Sequence, residues 1–500
     1  MTKLFGRDLI CAVVAAPTAA LMLRGLRRAL RKSSTVELRL DWLKSRRELQ
    51  RFLGRLSVTG KRASVIATLR RRGAGGRFAG TVIAQLTYLR EAAAAGCTWC
   101  DLEVESAEQV DKQALRELRR AGARVMISFH DFRRTPRELS RVVSRLDKCG
   151  GNAIKIAAES RSVSNSVRLL ATVRRRRDVI AVPMGEAGLP GRVLALRSGS
   201  ALAYAALDEA TAPAQLSIEE MRDEYRADRL DRHTRVYGVI GNPIAHSLSP
   251  LLHNAAFVAR NVNAVLAPFL VRELRDFLGS RSKLSVAGFA VTIPHKQTII
   301  RYLADCDRLA ARIGAVNTVV VRGDSRLYGY NTDYVGVLRA LSQRVQLAGS
   351  RVLLLGAGGA ARAAAFALAE AGAVISICSR REGQAKALAR SAGAEAITRN
   401  QLRREYFDAI INATPVGMNL RDGAPLHANE LNCRVVMDMI YRPMETPLLK
   451  IARRRGIETV SGVDMFLAQG IAQWEIWMGE RAPAEIMRRA VLAKLRRENQ

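Results

Sequence analysis

A histidine and a lysine occupy apolar strand-like segments in the first third of the chain. The segment RVMISFHDF runs from Arg124 and contains His130, and the next apolar segment, AIKIAA, contains Lys155. A desolvated lysine favours its neutral amine, which can attack a carbonyl and form an imine. Histidine can then remove a proton beside that imine and return it to a leaving hydroxyl. The pair predicts Schiff-base lyase chemistry; a salt-bridged or snorkelling lysine is the alternative interpretation.

Three arginines fall near the ends of other apolar segments and suit an acidic substrate. They are Arg39, Arg70 and Arg192. A guanidinium binds a carboxylate through two parallel hydrogen bonds and so fixes its orientation. A carboxylic acid with a carbonyl group is therefore the expected substrate class.

A glycine-rich turn in the second half predicts a dinucleotide site. LLLGAGGAARAAAFAL reads as a strand, a turn with Gly356, Gly358 and Gly359, and an alanine-rich helix. Such glycines let the backbone approach a pyrophosphate, and the helix N-terminus supplies N–H donors. The next strand, VISICSRR, ends in Arg380 and Arg381, where an enzyme that uses NAD more often has an acidic residue. Arginine at this place favours NADP.

Upstream of this turn lie polar residues of the kind that bind a hydroxylated acid. A Lys and Asp pair can hold a hydroxyl and move its proton while a nicotinamide exchanges hydride. Ser249 precedes a proline and is equally well explained as a helix N-cap. The candidates are Ser247, Ser249, Thr292, Lys296, Asn317 and Asp333.

The elements that must position these residues differ between the two halves. Eight apolar segments, beginning near residues 10, 35, 64, 99, 124, 153, 178 and 201, alternate with helical stretches and predict a (β/α)8 barrel. Active sites of such barrels lie at the C-terminal ends of the strands. The polar residues predicted at or near those ends are Glu37, Arg39, Arg70, Glu103, His130, Lys155 and Arg192.

The predicted division of the chain follows from this pattern. We expect the barrel over residues 1–220, a charged linker over 221–234, and a substrate-binding α/β domain over 235–346. A Rossmann domain is expected over 347–460, and helices over 461–500 are expected to return to the catalytic domain.

Composition limits the other possibilities. The formal charge is +34, but the basic residues are spread along the chain, which favours a solvated surface that attracts anionic metabolites over a nucleic-acid site. No apolar run approaches the length of a membrane span. The seven cysteines favour a reducing compartment. Cys97 and Cys100 form the one C-x-x-C, and neither zinc nor another metal is expected. The N-terminal apolar stretch is predicted to be a strand, and no transit-like extension is expected, which favours a bacterial cytoplasmic protein.

The first half resembles the type I 3-dehydroquinate dehydratases over roughly residues 8 to 220. The matching segments are ELRLDWL, TLR, DLE, SFHDF, IKIA, PMGEAGLPGR and ATAPAQ. The resemblance implies dehydration of 3-dehydroquinate to 3-dehydroshikimate, with Lys155 forming the imine and His130 as general acid and base. The substrate-binding residues that it implies are Glu37, Arg39, Arg70, Glu103, Arg192, Thr211 and Gln215.

The chain departs from that family at one position. The family usually has a glutamate before a Gly-Gly pair, where it orients the histidine, and here the position is Ala74. Glu103, on the neighbouring strand, is the candidate to support His130 instead. We expect reduced rather than absent dehydratase activity.

The second half resembles shikimate dehydrogenase over about residues 235 to 485. The resemblance implies Lys296 and Asp333 as the catalytic dyad and places NATPVGM, DMIYRP and GVDMFLAQG near the nicotinamide. Implied shikimate-binding residues are Ser247, Ser249, Thr292, Asn317 and Gln469. Implied NADP-binding residues are Gly356, Ala357, Gly358, Gly359, Ala360, Ser379, Arg380, Arg381, Thr414, Met418, Tyr441 and Gly462.

Two positions depart from this second pattern. Ala290 replaces the usual Asn or Ser, which removes one possible substrate hydrogen bond and predicts a raised KM for shikimate. Ser379 replaces the Asn of the phosphate loop, while Arg380 is kept.

Together the two resemblances predict an α/β protein with an N-terminal (β/α)8 TIM barrel followed by a two-domain shikimate dehydrogenase unit with a Rossmann NADP-binding domain. The two reactions are consecutive, so the expected function is conversion of 3-dehydroquinate to shikimate with NADPH. Three alternatives stay open: a quinate dehydrogenase in the second half, a barrel that is only a scaffold, and nucleic-acid binding through the positive charge. The expected partners are small-molecule substrates, with neither nucleic acid nor membrane.

Overall fold

The computed structural model describes residues 4–56, 63–174, 176–208 and 214–498. Short 3-10 and π turns are left unlabelled. The strands are β1 Ile10–Val14, β2 Thr35–Arg39, β3 Ser64–Thr68, β4 Trp99–Glu103, β5 Arg124–Asp131, β6 Ala153–Glu159, β7 Val179–Met184, β8 Ala203–Ala206, β9 Arg235–Gly241, β10 Ala264–Leu270, β11 Val286–Val291, β12 Asp305–Cys306, β13 Thr318–Val321, β14 Leu327–Tyr330, β15 Arg351–Leu355, β16 Val374–Cys378, β17 Glu395–Ala396, β18 Phe407–Asn412, β19 Cys433–Asp438 and β20 Glu458–Val460. The helices are α1 Ala19–Lys32, α2 Arg46–Leu53, α3 Val82–Ala94, α4 Val104–Ala107, α5 Lys112–Arg120, α6 Leu139–Lys148, α7 Val163–Ala171, α8 Leu189–Val193, α9 Ala195–Ser198, α10 Ser249–Ala259, α11 Leu274–Ser280, α12 Arg308–Ile313, α13 Asp333–Leu341, α14 Gly359–Glu370, α15 Glu382–Ala392, α16 Arg399–Leu402, α17 Pro447–Arg454, α18 Gly462–Met478 and α19 Ala484–Glu498.

The chain divides into two compact units. The first contains residues up to Arg235 together with Asn263–Ser285, and the second contains Val236–Val262 and Val286 onward. Within the first unit, Asp276 on α11 accepts a hydrogen bond from the Val163 backbone N–H at the start of α7, at 2.8 Å. An acidic side chain at a helix N-terminus neutralises exposed N–H groups, so this contact helps to attach Asn263–Ser285 to its unit.

The first unit forms the predicted barrel. Its strands are parallel and follow the order β7-β6-β5-β4-β3-β2-β1-β8, so that the last strand pairs with the first. On the other side of β8, the N–H of Ala201, just before that strand, donates to the carbonyl of Val179 in β7 at 2.9 Å. The strands are mostly apolar and nearly all buried, as expected where helices cover a parallel barrel on the outside and side chains fill it. The eight predicted segments supply the eight strands, and the barrel prediction is confirmed.

Residues predicted as a charged linker are partly packed. Glu220–Glu224 forms a π-helical turn and Ala227–Arg229 a 3-10 turn. Met221, Tyr225 and Ala227 are buried. The charged residues of this stretch therefore lie beside buried apolar side chains. The irregular spacing of those apolar residues explains why the sequence pattern did not predict their burial.

The second unit contains two sheets. In one, β9, β11, β13, β14 and β12 follow one another, with β11 parallel to β9 and antiparallel to β13. The other is parallel, with the order β17-β16-β15-β18-β19-β20. This is the Rossmann order, in which the direction of winding reverses between β15 and β18 and leaves a crevice at their C-terminal ends. The Rossmann prediction is confirmed.

Both faces of the Rossmann sheet are covered. Val352 and Leu354 belong to a core with α14 and α15, whereas Leu353 and Leu355 belong to a second core with α17. Alternation along β15 explains this division, because successive side chains of a strand point to opposite faces. The rigid strand therefore fixes the position of the glycine turn that follows it.

Cys97 and Cys100 are buried at the junction of α3 and β4. In the described ranges no group of His, Cys, Asp and Glu side chains is arranged to hold a metal ion. A search of the same ranges also finds no helix that is long and apolar enough to cross a membrane.

Candidate active sites

Lys155 lies inside the barrel and is held by two carboxylates. It is the third residue of β6 and is 4% exposed. Its Nζ donates to Asp101 Oδ2 at 2.5 Å and to Glu37 Oε1 at 3.3 Å, and it lies 4.8 Å from the centre of the Tyr204 ring. Lys155 lies in the middle of β6 rather than at the predicted strand end, and parallel pairing with neighbouring strands brings acidic side chains to the same depth. The ion pairs offset the cost of burying this cation.

Asp101 connects Lys155 to Arg70. Arg70 Nη2 donates to Asp101 Oδ2 at 2.7 Å, and Ser128 Oγ donates to Oδ1 at 2.5 Å. Burial alone would raise the pKa of Asp101, but the Arg70 and Lys155 cations outweigh it and hold the pKa well below its usual value. Asp101 was not among the predicted site residues. The available signal was an aspartate within the otherwise apolar strand WCDLE.

His130 lies on β5 with one ring nitrogen unsatisfied. Its Nδ1 is buried without a hydrogen-bond partner among the described residues, and its ring stacks on Phe132 with centroids 6.0 Å apart. Burial, followed by the Arg70 and Lys155 cations, lowers its pKa well below the usual value. The turn with Ala74 lies nearby, since a Cβ built on Gly75 would be 2.3 Å from Phe132 Cε2.

The predicted support of His130 by Glu103 is wrong. Glu103 Oε1 accepts the Arg71 backbone N–H at 2.9 Å, and Oε2 accepts from Gln85 Nε2 at 2.5 Å. Both carboxylate oxygens thus hold the segment after β3 and helix α3. Glu103 Oε1 also lies 3.5 Å from Arg70 Nη1, so Glu103 positions Arg70 both directly and through its neighbour Arg71, and it leaves His130 Nδ1 without a hydrogen-bond partner among the described residues.

The remaining predicted dehydratase residues are distributed as follows. Glu37 accepts from Thr68 Oγ1 at 2.9 Å as well as from Lys155. Arg39 makes a bidentate pair with Asp41, through hydrogen bonds of 2.9 Å. Arg192 is buried on α8, its Nε donates to the Pro183 carbonyl at 2.8 Å, and burial lowers its pKa to about 10. Gln215 is half-buried after β8, and Thr211 lies outside the described residues.

In the second unit, the predicted lysine and aspartate form a pair. Lys296 Nζ donates to Asp333 Oδ2 at 2.5 Å, and Asn317 Nδ2 donates to Asp333 Oδ1 at 2.9 Å. Asn317 also uses its side-chain oxygen, which accepts from the Thr332 backbone N–H at 2.8 Å. Asn317 therefore orients the Lys296 and Asp333 pair, a contact that its prediction as a substrate ligand did not include.

The predicted substrate residues come from several elements of this unit. Ser249 begins α10, and its backbone N–H donates to Ser247 Oγ at 3.3 Å. The Thr292 N–H donates to the Ile240 carbonyl at 2.9 Å, directly after β11. Gln469 lies on α18, where its Nε2 donates to the Phe466 carbonyl at 2.9 Å, and its Cβ is 3.3 Å from a Cβ built on Gly336 of α13. Ala290 pairs with Thr318, the neighbour of Asn317.

The glycine turn fits a dinucleotide and lies against Lys296. Gly356 has φ +109°, a conformation that favours glycine, and a Cβ at Gly358 would meet open space. A Cβ on Gly359, the first residue of α14, would lie 3.1 Å from Lys296 Cβ. Backbone N–H groups at this helix start are suited to a pyrophosphate. Ala357 lies in the turn, and Ala360 is the second residue of α14.

The remaining predicted cofactor residues surround the ends of the Rossmann strands. Arg380 and Arg381 are exposed after β16, and no carboxylate forms an ion pair with either in the part of the chain that the structure describes. Such cations suit a 2′-phosphate. Ser379 Oγ accepts the Arg381 N–H at 3.4 Å. Thr414 follows β18, Met418 is 50% exposed, the Tyr441 ring stacks on Phe466, and Gly462 begins α18.

Comparisons with known families match both halves. The type I 3-dehydroquinase model matches residues 10–232, the shikimate dehydrogenase substrate binding domain matches 239–319, and the shikimate 5'-dehydrogenase C-terminal domain matches 462–492. Both resemblances predicted from the sequence are confirmed.

Two solved structures resemble the second half. A crystal structure of a shikimate dehydrogenase in complex with NADP+ is 37% identical, has a TM-score of 0.50 and covers 53% of this chain and 97% of its own. The shikimate dehydrogenase of Aquifex aeolicus is 35% identical, also with a TM-score of 0.50, over 52% of this chain and 99% of its own.

Relatives of known name extend this similarity to the whole chain. The shikimate dehydrogenase (NADP(+)) of Thermococcus kodakarensis is 42% identical over 52% of this chain and 97% of the relative. The chloroplastic bifunctional 3-dehydroquinate dehydratase/shikimate dehydrogenase of Arabidopsis thaliana is 32% identical over 96% of this chain and 83% of the relative. Because that alignment spans both candidate sites, the chain belongs to the family of bifunctional 3-dehydroquinate dehydratase/shikimate dehydrogenases.

Proposed function

We propose that this chain converts 3-dehydroquinate to shikimate, by dehydration in the first unit and NADPH-dependent reduction in the second. The observation that carries the first step is a lysine inside a (β/α)8 barrel, with its Nζ within 2.5 Å of Asp101. The observation that carries the second is the Lys296 and Asp333 pair against the glycine turn. The product of the first reaction is the substrate of the second.

In the dehydratase site, Lys155 is the nucleophile. The Lys155 ammonium first gives one proton to a neighbouring base, and the amine attacks the substrate carbonyl carbon; that proton returns as the carbonyl oxygen leaves as water, which gives a protonated imine that acidifies the adjacent C–H. His130 removes the proton of that C–H, and its depressed pKa keeps the ring neutral and ready to do so. The proton then returns to the hydroxyl that departs as water, and hydrolysis of the imine releases 3-dehydroshikimate and restores Lys155.

The substrate carboxylate and hydroxyls bind the surrounding polar groups. Arg192 is buried and cationic, and it is suited to the carboxylate. Arg39 and Arg70 carry their own carboxylate partners and shape the site beside it. Glu37, Glu103, Thr211 and Gln215 complete the proposed substrate-binding set.

In the reductase site, Lys296 provides the proton. NADPH, when bound, supplies the hydride that reduces the 3-dehydroshikimate carbonyl. Lys296 donates a proton to the carbonyl oxygen, and Asp333 holds the lysine in place with Asn317 behind it. Ser247, Ser249, Thr292 and Gln469 are proposed to bind the substrate hydroxyls and carboxylate.

The proposed cofactor-binding residues line the crevice at the Rossmann switch point. Gly356, Ala357, Gly358, Gly359 and Ala360 hold the pyrophosphate. The 2′-phosphate binds Ser379, Arg380 and Arg381, and the nicotinamide end is bounded by Thr414, Met418, Tyr441 and Gly462.

The proposed functional division of the chain has its limits at residues 1–220, 221–234, 235–346, 347–460 and 461–500. The family matches that begin at 239 and 462 support the proposed limits at 235 and 461, whereas the match over 10–232 includes most of the proposed linker. The cytoplasm is the proposed location, motivated by free cysteines.

A coupled assay tests both steps. With 3-dehydroquinate and NADPH as the sole substrates, the full chain is expected to form the conjugated enone of 3-dehydroshikimate and to consume NADPH. Lys155→Met should abolish NADPH loss from 3-dehydroquinate but not from added 3-dehydroshikimate. Lys296→Met should slow reduction by about 10² to 10⁴-fold, so that 3-dehydroshikimate accumulates.

Borohydride trapping provides an independent measurement of the imine. Reduction of the wild-type protein with substrate should leave a covalent adduct on Lys155, and the same treatment of Lys155→Met should leave none. A wild-type protein that neither dehydrates 3-dehydroquinate nor yields an adduct would refute the first activity and leave a barrel that serves as a scaffold.

A further inference from the structure

Asp438 is a fully buried carboxylate at the C-terminal end of β19 that the proposed chemistry does not use. Its Oδ1 accepts from Asn412 Nδ2 at 3.0 Å and from the Ile440 backbone N–H at 3.1 Å. Its Oδ2 accepts from Thr446 Oγ1 at 2.7 Å. Desolvation nevertheless raises the pKa of Asp438 to about 6. A carboxylate in such a place requires these donors, because a buried charge without partners is strongly destabilising.

One arm of this network shapes the turn after β18. Asn412 Oδ1 accepts from the Thr414 backbone N–H at 3.0 Å and from Thr414 Oγ1 at 2.7 Å. Its Nδ2 also donates to the Val416 carbonyl at 3.2 Å. Asn412 can bind Thr414 through its oxygen only when its amide nitrogen faces Asp438. The charge of Asp438 therefore sets the orientation of the Asn412 amide.

That turn lies directly against the glycine turn. A Cβ on Gly356 would be 3.1 Å from the Ala413 carbonyl oxygen and 3.2 Å from Thr414 Cγ2. The Ala413 N–H donates to the Leu355 carbonyl at 3.0 Å. β15 and β18 are the strands at the switch point, so these two turns form the walls of the crevice where a dinucleotide binds.

The other arm of the network leads away from the crevice. Thr446 is the N-cap of α17, and its Oγ1 accepts from the Leu449 N–H at 3.3 Å. Loss of this arm would weaken the start of α17 without a direct effect on Asn412. Substitutions in the two arms can therefore separate an effect on cofactor binding from an effect on stability.

We infer that Asp438 is a positioning residue for the dinucleotide, which acts by locking the Asn412 amide and with it the Asn412–Val416 turn against the glycine turn. Among the described residues, the hydrogen bonds of Asp438 go to Asn412, Ile440 and Thr446 and none goes to Lys296 or Asp333. The inference rests on the proposed NADPH-dependent reduction for its role in catalysis, but the binding of NADPH can be measured without turnover.

The test compares Asp438→Asn with Thr446→Val in the full chain. NADPH binding is measured by fluorescence titration, and reduction of 3-dehydroshikimate is measured at varied NADPH. Asp438→Asn replaces the charge-assisted contact to the Asn412 amide with a neutral one, because the new amide oxygen can face Asn412 while its nitrogen donates to the Thr446 hydroxyl, and we expect NADPH to bind about tenfold more weakly. The KM for NADPH should rise in proportion, with kcat at saturating NADPH within about twofold of wild type. Thr446→Val should lower the melting temperature and leave NADPH binding within about twofold.

The inference is overturned if Asp438→Asn binds NADPH as wild type does, or if Thr446→Val weakens binding equally. If wild type binds NADPH but does not reduce 3-dehydroshikimate, the proposed function fails while the binding comparison still decides the role of Asp438.

Discussion

At the scale of single residues, the His130 ring has surroundings that keep it neutral. Burial and the Arg70 and Lys155 cations lower its pKa, and no carboxylate contacts its free Nδ1 within the described residues. A base with a depressed pKa stays deprotonated as pH falls. We therefore expect dehydratase kcat/KM to remain on its plateau through about pH 6.5, the usual value for histidine, and to decline only below it. A pH profile with 3-dehydroquinate measures this, and half-maximal activity at or above that pH would contradict the assignment.

The glutamate that the dehydratase family usually has at position 74 provides a second test of the role of His130. Ala74→Glu places an acidic group on the turn that lies against Phe132, which stacks on His130. A carboxylate that accepts from Nδ1 would orient the ring and favour its protonated form, so the acidic limb should move to higher pH. We expect kcat to rise about tenfold, which is roughly the effect of one charge-assisted hydrogen bond. Ala74→Gln is the matched control, because it can orient the ring without a charge and should leave the acidic limb in place.

Residue types identified the reactive groups but not their partners. Lys155 and His130 stand out in the sequence because ionisable residues are rare inside apolar strands. Asp101 satisfies the same criterion, yet its pairing with both Arg70 and Lys155 depends on three pairing registers among the four strands β3 to β6. The error over Glu103 has the same origin: strand adjacency suggested contact with His130, whereas its carboxylate turns to Arg71 and Gln85.

At the scale of elements, the turn between β15 and α14 depends on one backbone conformation. Gly356 has φ +109°, and a Cβ there would lie 3.1 Å from the Ala413 carbonyl oxygen. Gly356→Ala therefore strains the turn and pushes it from Ala413, at a cost of about 1 to 3 kcal/mol. We expect the KM for NADPH to rise at least about tenfold. Dehydration of 3-dehydroquinate should not change, since the turn belongs to the other unit.

Gly383→Ala is the matched control for that substitution. Gly383 lies within α15, and a Cβ there meets no atom within 4 Å. Alanine is the better helix former, so this variant should keep the wild-type KM and gain slightly in stability. An unchanged KM for NADPH in Gly356→Ala would show that the turn does not approach the cofactor.

Strands and helices followed well from the sequence because their signals are local. Alternation of apolar segments with amphipathic helices indicated the barrel, and the strand, glycine turn and helix indicated the Rossmann domain. The packing of Met221, Tyr225 and Ala227 was not evident, because burial there depends on contacts with distant elements rather than on a local period. The grouping of Asn263–Ser285 with the barrel residues was hidden for the same reason, since the Asp276 contact with α7 joins segments far apart in the chain.

At the scale of the whole molecule, the most unusual property is a net charge of +34. Several arginines form local ion pairs, as Arg176 does with Asp147 and Asp178, but basic residues outnumber acidic ones 80 to 46. Most of the excess basic residues must therefore lie in contact with solvent. Such a surface produces a positive potential that attracts anions before any specific contact forms. Both proposed substrates carry a carboxylate, and NADPH carries phosphates.

Ionic strength tests whether this potential aids catalysis. The screening length falls from about 10 Å in ~0.1 M salt to about 3 Å in ~1 M, so we expect kcat/KM for 3-dehydroquinate to fall at least about threefold over this range. The buried Lys155, Asp101 and Arg70 contacts are shielded from salt, so kcat should change little. Measurements in sodium chloride and in choline chloride separate ionic strength from binding of a particular cation. If kcat/KM is independent of salt while RNA is shifted in gels at physiological ionic strength, the charge serves nucleic-acid binding rather than capture of the substrate.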